Sequence, residues 1–131
     1  MKKLSHSILL IMLFFCFLAF SQQPVQMVKV QFTPAEVESM LYLYNQTSIK
    51  GSDVEVVAPV GVKLRSGLKR ARAMKDSTQT LTLEMSLVDV QVCVNIIQAS
   101  TFEAKYAELV LGMKRKLEAF LPTPPATQPT Q

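Results

Sequence analysis

The 131-residue chain has no tryptophan, one histidine, two cysteines and four glycines, and each shortage removes a class of function. The lone histidine, His6, lies in an N-terminal leader that is expected to be removed. What remains has no imidazole to act as a general base or to bind a metal. Without one, the serines and Cys93 lack their usual activating partner. The glycines are scattered, so neither a P-loop nor a Gly-rich dinucleotide turn can be assembled. An enzyme is not expected, nor is a cofactor, a metal or a small-molecule ligand. Cys16 belongs to the same leader, so Cys93 is left without a disulfide partner. Its place in an apolar register points to a buried, unreactive thiol.

Long apolar runs are also missing. The longest, Ile8 to Phe20, has 13 residues, short of the ~20 needed to span a bilayer. It follows Met1-Lys2-Lys3 and precedes Ala19-Phe20-Ser21, so residues 1–21 read as a signal peptide with the mature chain starting at Gln22. Phe14-Phe15 precede Cys16 where a lipoprotein signal has small residues, so lipidation is not expected. The reading is an exported bacterial protein, periplasmic or extracellular, with no stable membrane anchor after cleavage. Lys2 and Lys3 leave with the leader, which lowers the net charge from +4 to +2. The mature chain is therefore not strongly cationic.

What the chain does have is self-similarity, which is sought before any other pattern. Met27 to Leu64, moved forward by 53 positions, lands on Thr80 to Leu117. Val28, Val30 and Phe32 meet Leu81, Leu83 and Met85. Val37, Met40, Leu41 and Tyr44 meet Val90, Cys93, Val94 and Ile97. Glu55, Lys63 and Leu64 meet Glu108, Lys116 and Leu117. Chance likeness between two amphipathic stretches is the alternative. A duplication predicts one domain, 22–121, built from repeats at 26–75 and 79–121.

Taken in order, Val28, Val30 and Phe32 alternate with polar residues as a half-buried strand does. Thr33, Pro34 and Glu36 then carry a helix cap, a first-turn proline and a capping box. Val37, Met40, Leu41 and Tyr44 make one helical face. Asn45-Gln46-Thr47 matches a glycosylation sequon but reads better as a turn. Ser52 and Glu55 are spaced as a second capping box, with Val57, Val60, Leu64 and Leu68 as the stripe behind it. Pro59 predicts a kink, or a helix start near Glu55, and Gly61 and Gly67 lower helix propensity by about 1 kcal/mol each.

Asp76 to Thr80 is a polar linker, and Asp76-Ser77-Thr78 resembles a short O-glycosylation acceptor of exported bacterial proteins. Leu81, Leu83 and Met85 repeat the strand pattern. From Val88 to Ile96 two readings collide. Alternating β-branched residues favour a strand, whereas the spacing of Val90, Cys93, Val94 and Ile97, with Ser86 and Asp89 placed for capping, favours a helix. Helix is expected, because a repeated unit should fold the same way twice. Ser100 and Glu103 are spaced to cap the last helix, whose stripe is Tyr106, Leu109, Val110, Met113, Leu117 and Phe120. Residues 122–131 are a Pro-rich, extended or disordered tail.

The fold class expected is mostly α (α+β): two strand-helix-helix units packed as a four-helix domain with a two-stranded ribbon. That pattern, from Met27 to about Leu117, resembles the ribbon-helix-helix family, in which two such chains form a DNA-binding dimer. The resemblance implies that the outward strand residues Lys29, Gln31, Thr82 and Glu84 would face a duplex. Glu84 has the wrong charge for that surface, and an exported chain is separated from an operator. Nucleic-acid binding is therefore the alternative function, and a non-enzymatic interaction or assembly protein is the expected one.

Lys63, Arg65, Lys69, Arg70, Arg72 and Lys75 form the one dense basic run. A solvated helix end explains it, since cations suit a helix C-terminus, but Lys69, Arg70 and Arg72 are also candidates for a partner surface. Glu55 and Glu108 read as first-turn helix glutamates. In the third helix Val88 and Val92 replace Ala35 and Ser39, which makes it apolar nearly all round. Val88 and Val92 are accordingly expected at a homodimer or partner interface, unless Val54 and Val56 cover them within the chain.

Overall fold

The computed structural model describes residues 24–123 of the chain. The expected signal peptide, 1–21, lies outside the described residues, as does most of the Pro-rich tail. The elements, in order, are β1 (Met27–Phe32), α1 (Pro34–Gln46), a 3-10 turn (Gly51–Asp53), α2 (Val54–Ala73), β2 (Leu81–Ser86), α3 (Leu87–Ala99), a 3-10 turn (Ala104–Tyr106) and α4 (Ala107–Glu118). The protein is mostly helical with one small antiparallel sheet, and the order strand, helix, turn, helix occurs twice. The conflict over residues 81–97 resolves into a strand to Ser86 and a helix from Leu87. Ser86 and Asp89 decide it, because their capping box starts a helix inside a run of strand-favouring valines.

The ribbon register is symmetric about Val30 and Leu83, which pair directly, while Val28 faces Met85 and Phe32 faces Leu81. Alternation sends Val30, Phe32, Leu81, Leu83 and Met85 inward and leaves Lys29, Gln31, Thr82 and Glu84 exposed. Below the ribbon, Met40, Leu64, Met113 and Leu117 are fully buried. Each expected strand and helical face thus contributes to a single core.

Both first helices are capped as expected. In α1, Glu36 N–H donates to Thr33 Oγ1 at 3.3 Å and Thr33 N–H donates back to Glu36 Oε2 at 2.8 Å. In α3, Asp89 N–H donates to Ser86 Oγ at 3.1 Å and Ser86 N–H to Asp89 Oδ2 at 2.8 Å. Both second helices depart from expectation in the same way. Neither Ser52–Glu55 nor Ser100–Glu103 forms a capping box, because a 3-10 turn feeds straight into each helix. The Asp53 and Tyr106 N–H groups donate to the Lys50 and Glu103 carbonyls, each at 2.9 Å, so backbone takes the place of a side-chain cap. Ser100 serves the preceding helix instead, with Oγ donating to the Ile96 carbonyl at 2.6 Å. α2 starts at Val54, one residue from the expected Glu55, and carries Pro59 in its second turn.

The capping carboxylates have a second role. Lys63 of α2 bonds to Asp89 of α3, and Lys116 of α4 bonds to Glu36 of α1, so each half holds the other's cap. Glu36 and Asp89 are both buried, and no buried side-chain polar atom among the described residues lacks a hydrogen bond. A buried carboxylate is tolerated only when its lone pairs are occupied this way. Burial pushes the Asp89 carboxyl up, but hydrogen bonds from Lys63 and Ser86 outweigh it and hold the pKa below the usual carboxylate value.

Candidate binding groove between the first and last helices

The two halves differ along the outer side of their first helices. Ala35, Ser39 and Tyr42 of α1 stand where α3 has Val88, Val92 and Asn95. In the second half the larger Val92 fills its space and is buried, and α3 packs closely on α2. The smaller Ala35 and Ser39 leave room, and α1 touches α4 less extensively. The result is a groove of about 430 Å³ between α1 and the segment leading into α4. Its α1 wall carries Ala35, Ser39, Tyr42 and Leu43. Phe102, Tyr106, Leu109 and Val110 form the opposite wall, with Glu38 and Glu103 adding carboxylates.

The aromatic rings give the groove its chemistry. Tyr42, Phe102 and Tyr106 are 58%, 40% and 44% exposed, and among the described residues they are the only exposed aromatics. All three line this one groove. Lys105 salt-bridges Glu103 at 2.8 Å and sits 5.0 Å from the centre of the Tyr106 ring. The Glu103 contact, helped by Tyr106, holds the Lys105 ammonium above its usual pKa. Tyr106 was expected in the core stripe of α4 but is exposed. The 3-10 turn ends on it, so it precedes the helical register that buries Val110, Met113 and Leu117.

The residues singled out from the sequence do not gather at one surface. Val88 is 55% exposed, whereas Val92 lies in the core at 8%. Val92 is therefore not part of an open interface; its half of the fold has closed over it. Lys69, Arg70 and Arg72 are exposed near the end of α2, and Arg70 Nη2 donates to the Thr82 carbonyl at 3.1 Å. Lys63 leaves the basic run altogether to pair with Asp89. Glu55 and Glu108 are exposed in the first turns of α2 and α4, where the helix dipole favours acids. Cys93 is buried, and burial with the nearby Asp89 charge pushes its pKa up to about 12.

Among the described residues, no three His, Cys, Asp or Glu side chains are grouped to hold a metal ion. No described helix is long and apolar enough to cross a membrane. The groove was legible only as a contrast: Ala35, Ser39 and Tyr42 lie off the stripe of α1, with valines opposite two of them. Nothing in the sequence marked Phe102 as their neighbour. No protein-family model, characterised protein or solved structure matches the chain.

Proposed function

We propose that this is an exported, non-enzymatic binding protein, built from a duplicated strand-helix-helix unit, that seats a polypeptide segment between α1 and α4. The convergence on one groove of all three aromatics exposed among the described residues carries the reading. Aromatic side chains offer large contact area at small entropic cost and are enriched where proteins meet. Duplication is supported by the symmetric ribbon register and by the reciprocal Lys63–Asp89 and Lys116–Glu36 pairs. On this view one copy kept its flank closed with Val92, and the other opened it with Ala35 and Ser39. The Lys-led apolar leader supports export.

The nucleic-acid reading draws less support. On the outer ribbon face Lys29 stands directly opposite Glu84, so the two charges cancel where a duplex would lie.

The test is a photo-crosslinking residue at Tyr42 in the full chain, expressed in its own cells, with the exposed Arg65 as control position. A discrete adduct at 42, absent at 65 and lost with Phe102→Ala, is expected. No adduct at 42 above the level at 65 would sink the binding reading. Intact mass of the exported chain tests the leader, with removal of residues 1–21 expected.

A further inference from the structure

We propose that the free edge of β1 is a self-association site, where β1 of a second copy pairs antiparallel and joins two ribbons into one four-stranded sheet. This surface is separate from the groove and owes nothing to the binding reading given to it. The Gln26 carbonyl accepts the Leu87 N–H at 3.3 Å, which fixes the phase of the ladder. Along an antiparallel pair, residues alternate between exchanging backbone hydrogen bonds with their opposite number and pointing those groups away. Val28, Val30 and Phe32 therefore bond to β2, while the backbone groups of Met27, Lys29 and Gln31 point to the open edge. On β2 the outward groups belong to Thr82, Glu84 and Ser86.

The protein closes one edge and leaves the other open. On β2, Arg70 Nη2 donates to the Thr82 carbonyl at 3.1 Å, and Asp89 Oδ2 takes the Ser86 N–H. On β1, Glu36 takes the Thr33 N–H in the same way, but nothing corresponds to Arg70. Both second helices start at equivalent positions, yet α2 has 20 residues and α4 has 12. Arg70 sits in the extra turns of α2, and its counterpart 53 positions on is Thr123, past the end of α4. α2 packs along β2, whereas α4 makes no comparable contact with β1. Among the described residues, no backbone hydrogen bond from outside the ribbon reaches Met27, Lys29 or Gln31.

A second copy suits this edge. An open row of backbone groups is a template for another strand, and β1 has neither a proline nor a break in register to refuse one. Two copies meet about a twofold axis, so the choice of central residue sets the register. Centring on Lys29 would oppose two ammonium groups, which is unfavourable. Centring on Val28 sets Met27 against Lys29 of the second copy and Val25 against its Gln31. Val25 and Met27 are both exposed, and this register covers them with the stems of longer polar side chains. Lys29 keeps Glu84 of its own chain beside it, so no like charges come together.

The test follows the chain without residues 1–21 by sedimentation from about 10 µM to about 1 mM, the weak end of specific association. A reversible dimer is expected. Met27→Lys sets an ammonium against Lys29 of the second copy twice per dimer, and should raise the dissociation constant at least about tenfold. Lys29→Pro removes an N–H that only the second copy uses, so it should give a folded monomer; should it unfold, Met27→Lys decides. Val28→Cys lies on the axis and should form a disulfide between copies on mild oxidation. Gln31→Cys should not, and Cys93 is too buried to compete. Hydrogen exchange separates the occupants: the Lys29 and Gln31 amides should gain protection as concentration rises. Protection that ignores concentration would mean that the chain's own terminal segment covers the edge, and would overturn the proposal. A monomer throughout the range, or a dimer unmoved by Met27→Lys and Lys29→Pro, would overturn it too.

Discussion

Lys116 grips Glu36 with both carboxylate oxygens, its Nζ lying 2.8 Å from Oε1 and 2.7 Å from Oε2, although the residues are 80 positions apart. The same Oε2 accepts the Thr33 N–H at 2.8 Å. One carboxylate therefore starts a helix in the first half and anchors the last helix to it.

Removing the ammonium should leave that carboxylate buried with only its local bond. Lys116→Met is expected to cost on the order of 1–3 kcal/mol, the range for losing a charge-assisted hydrogen bond at a partly open site. Glu36→Gln combined with Lys116→Met should cost less than the sum of the single changes, because neither group is then left unpaired. Denaturant melts of the four chains measure the coupling, and strict additivity would show that the contact carries no energy.

Two glycines in equivalent-looking helices should respond in opposite directions. A Cβ at Gly61 would sit 2.5 Å from the Tyr44 ring, whereas one at Gly112 meets nothing. Gly61→Ala should therefore destabilise by about 1–3 kcal/mol through overpacking. Gly112→Ala should stabilise by up to about 1 kcal/mol through helix propensity alone. Thermal melts of both variants decide this.

Acid should act partly through Asp89. Its folded pKa lies below the ordinary value of 3.8, so the unfolded chain takes up the proton first as pH falls. The stability it contributes is complete above about pH 5, and is lost as pH drops through 3.8 towards the folded value. Asp89→Asn should be less stable at pH 7 and should show a shallower loss between pH 5 and 3. Parallel pH profiles for the two chains would contradict the assignment.

The Cys93 thiol should be silent in the folded state. With its pKa pushed up to about 12 and no exposed surface, almost no thiolate is present at pH 8. In a chain lacking residues 1–21, where Cys93 is the sole cysteine, a thiol-disulfide reagent should react only as fast as the protein opens. Immediate reaction without denaturant would place the thiol at the surface.

The sequence carried the elements well because each announced itself locally. Alternation marked the strands, and Thr33–Glu36 and Ser86–Asp89 marked two helix starts. The comparison of halves then settled a valine-rich stretch that propensity alone would have made a strand. Two features needed the third dimension. The 3-10 entries to α2 and α4 depend on backbone carbonyls at Lys50 and Glu103, which side-chain spacing does not encode. The groove depends on missing volume at Ala35 and Ser39 facing rings more than 60 positions away. Lys63 lay between these cases. Grouped with its basic neighbours it read as a solvated charge, yet the offset that carries Lys63 to Lys116 also carries Glu36 to Asp89. Two basic and two acidic positions conserved between the halves could have suggested the exchange.

That exchange also sets the order in which the molecule can be made. When the ribosome has released the first half alone, β1 lacks its partner strand and Glu36 lacks Lys116. Val30 waits for Leu83, and the cap of α1 waits for Lys116, near the end of the last helix. Helices can flicker in the nascent chain, but the core cannot close until α4 has been synthesised. A protein wired this way gains its stability late, when its last helix brings Lys116 back to the first.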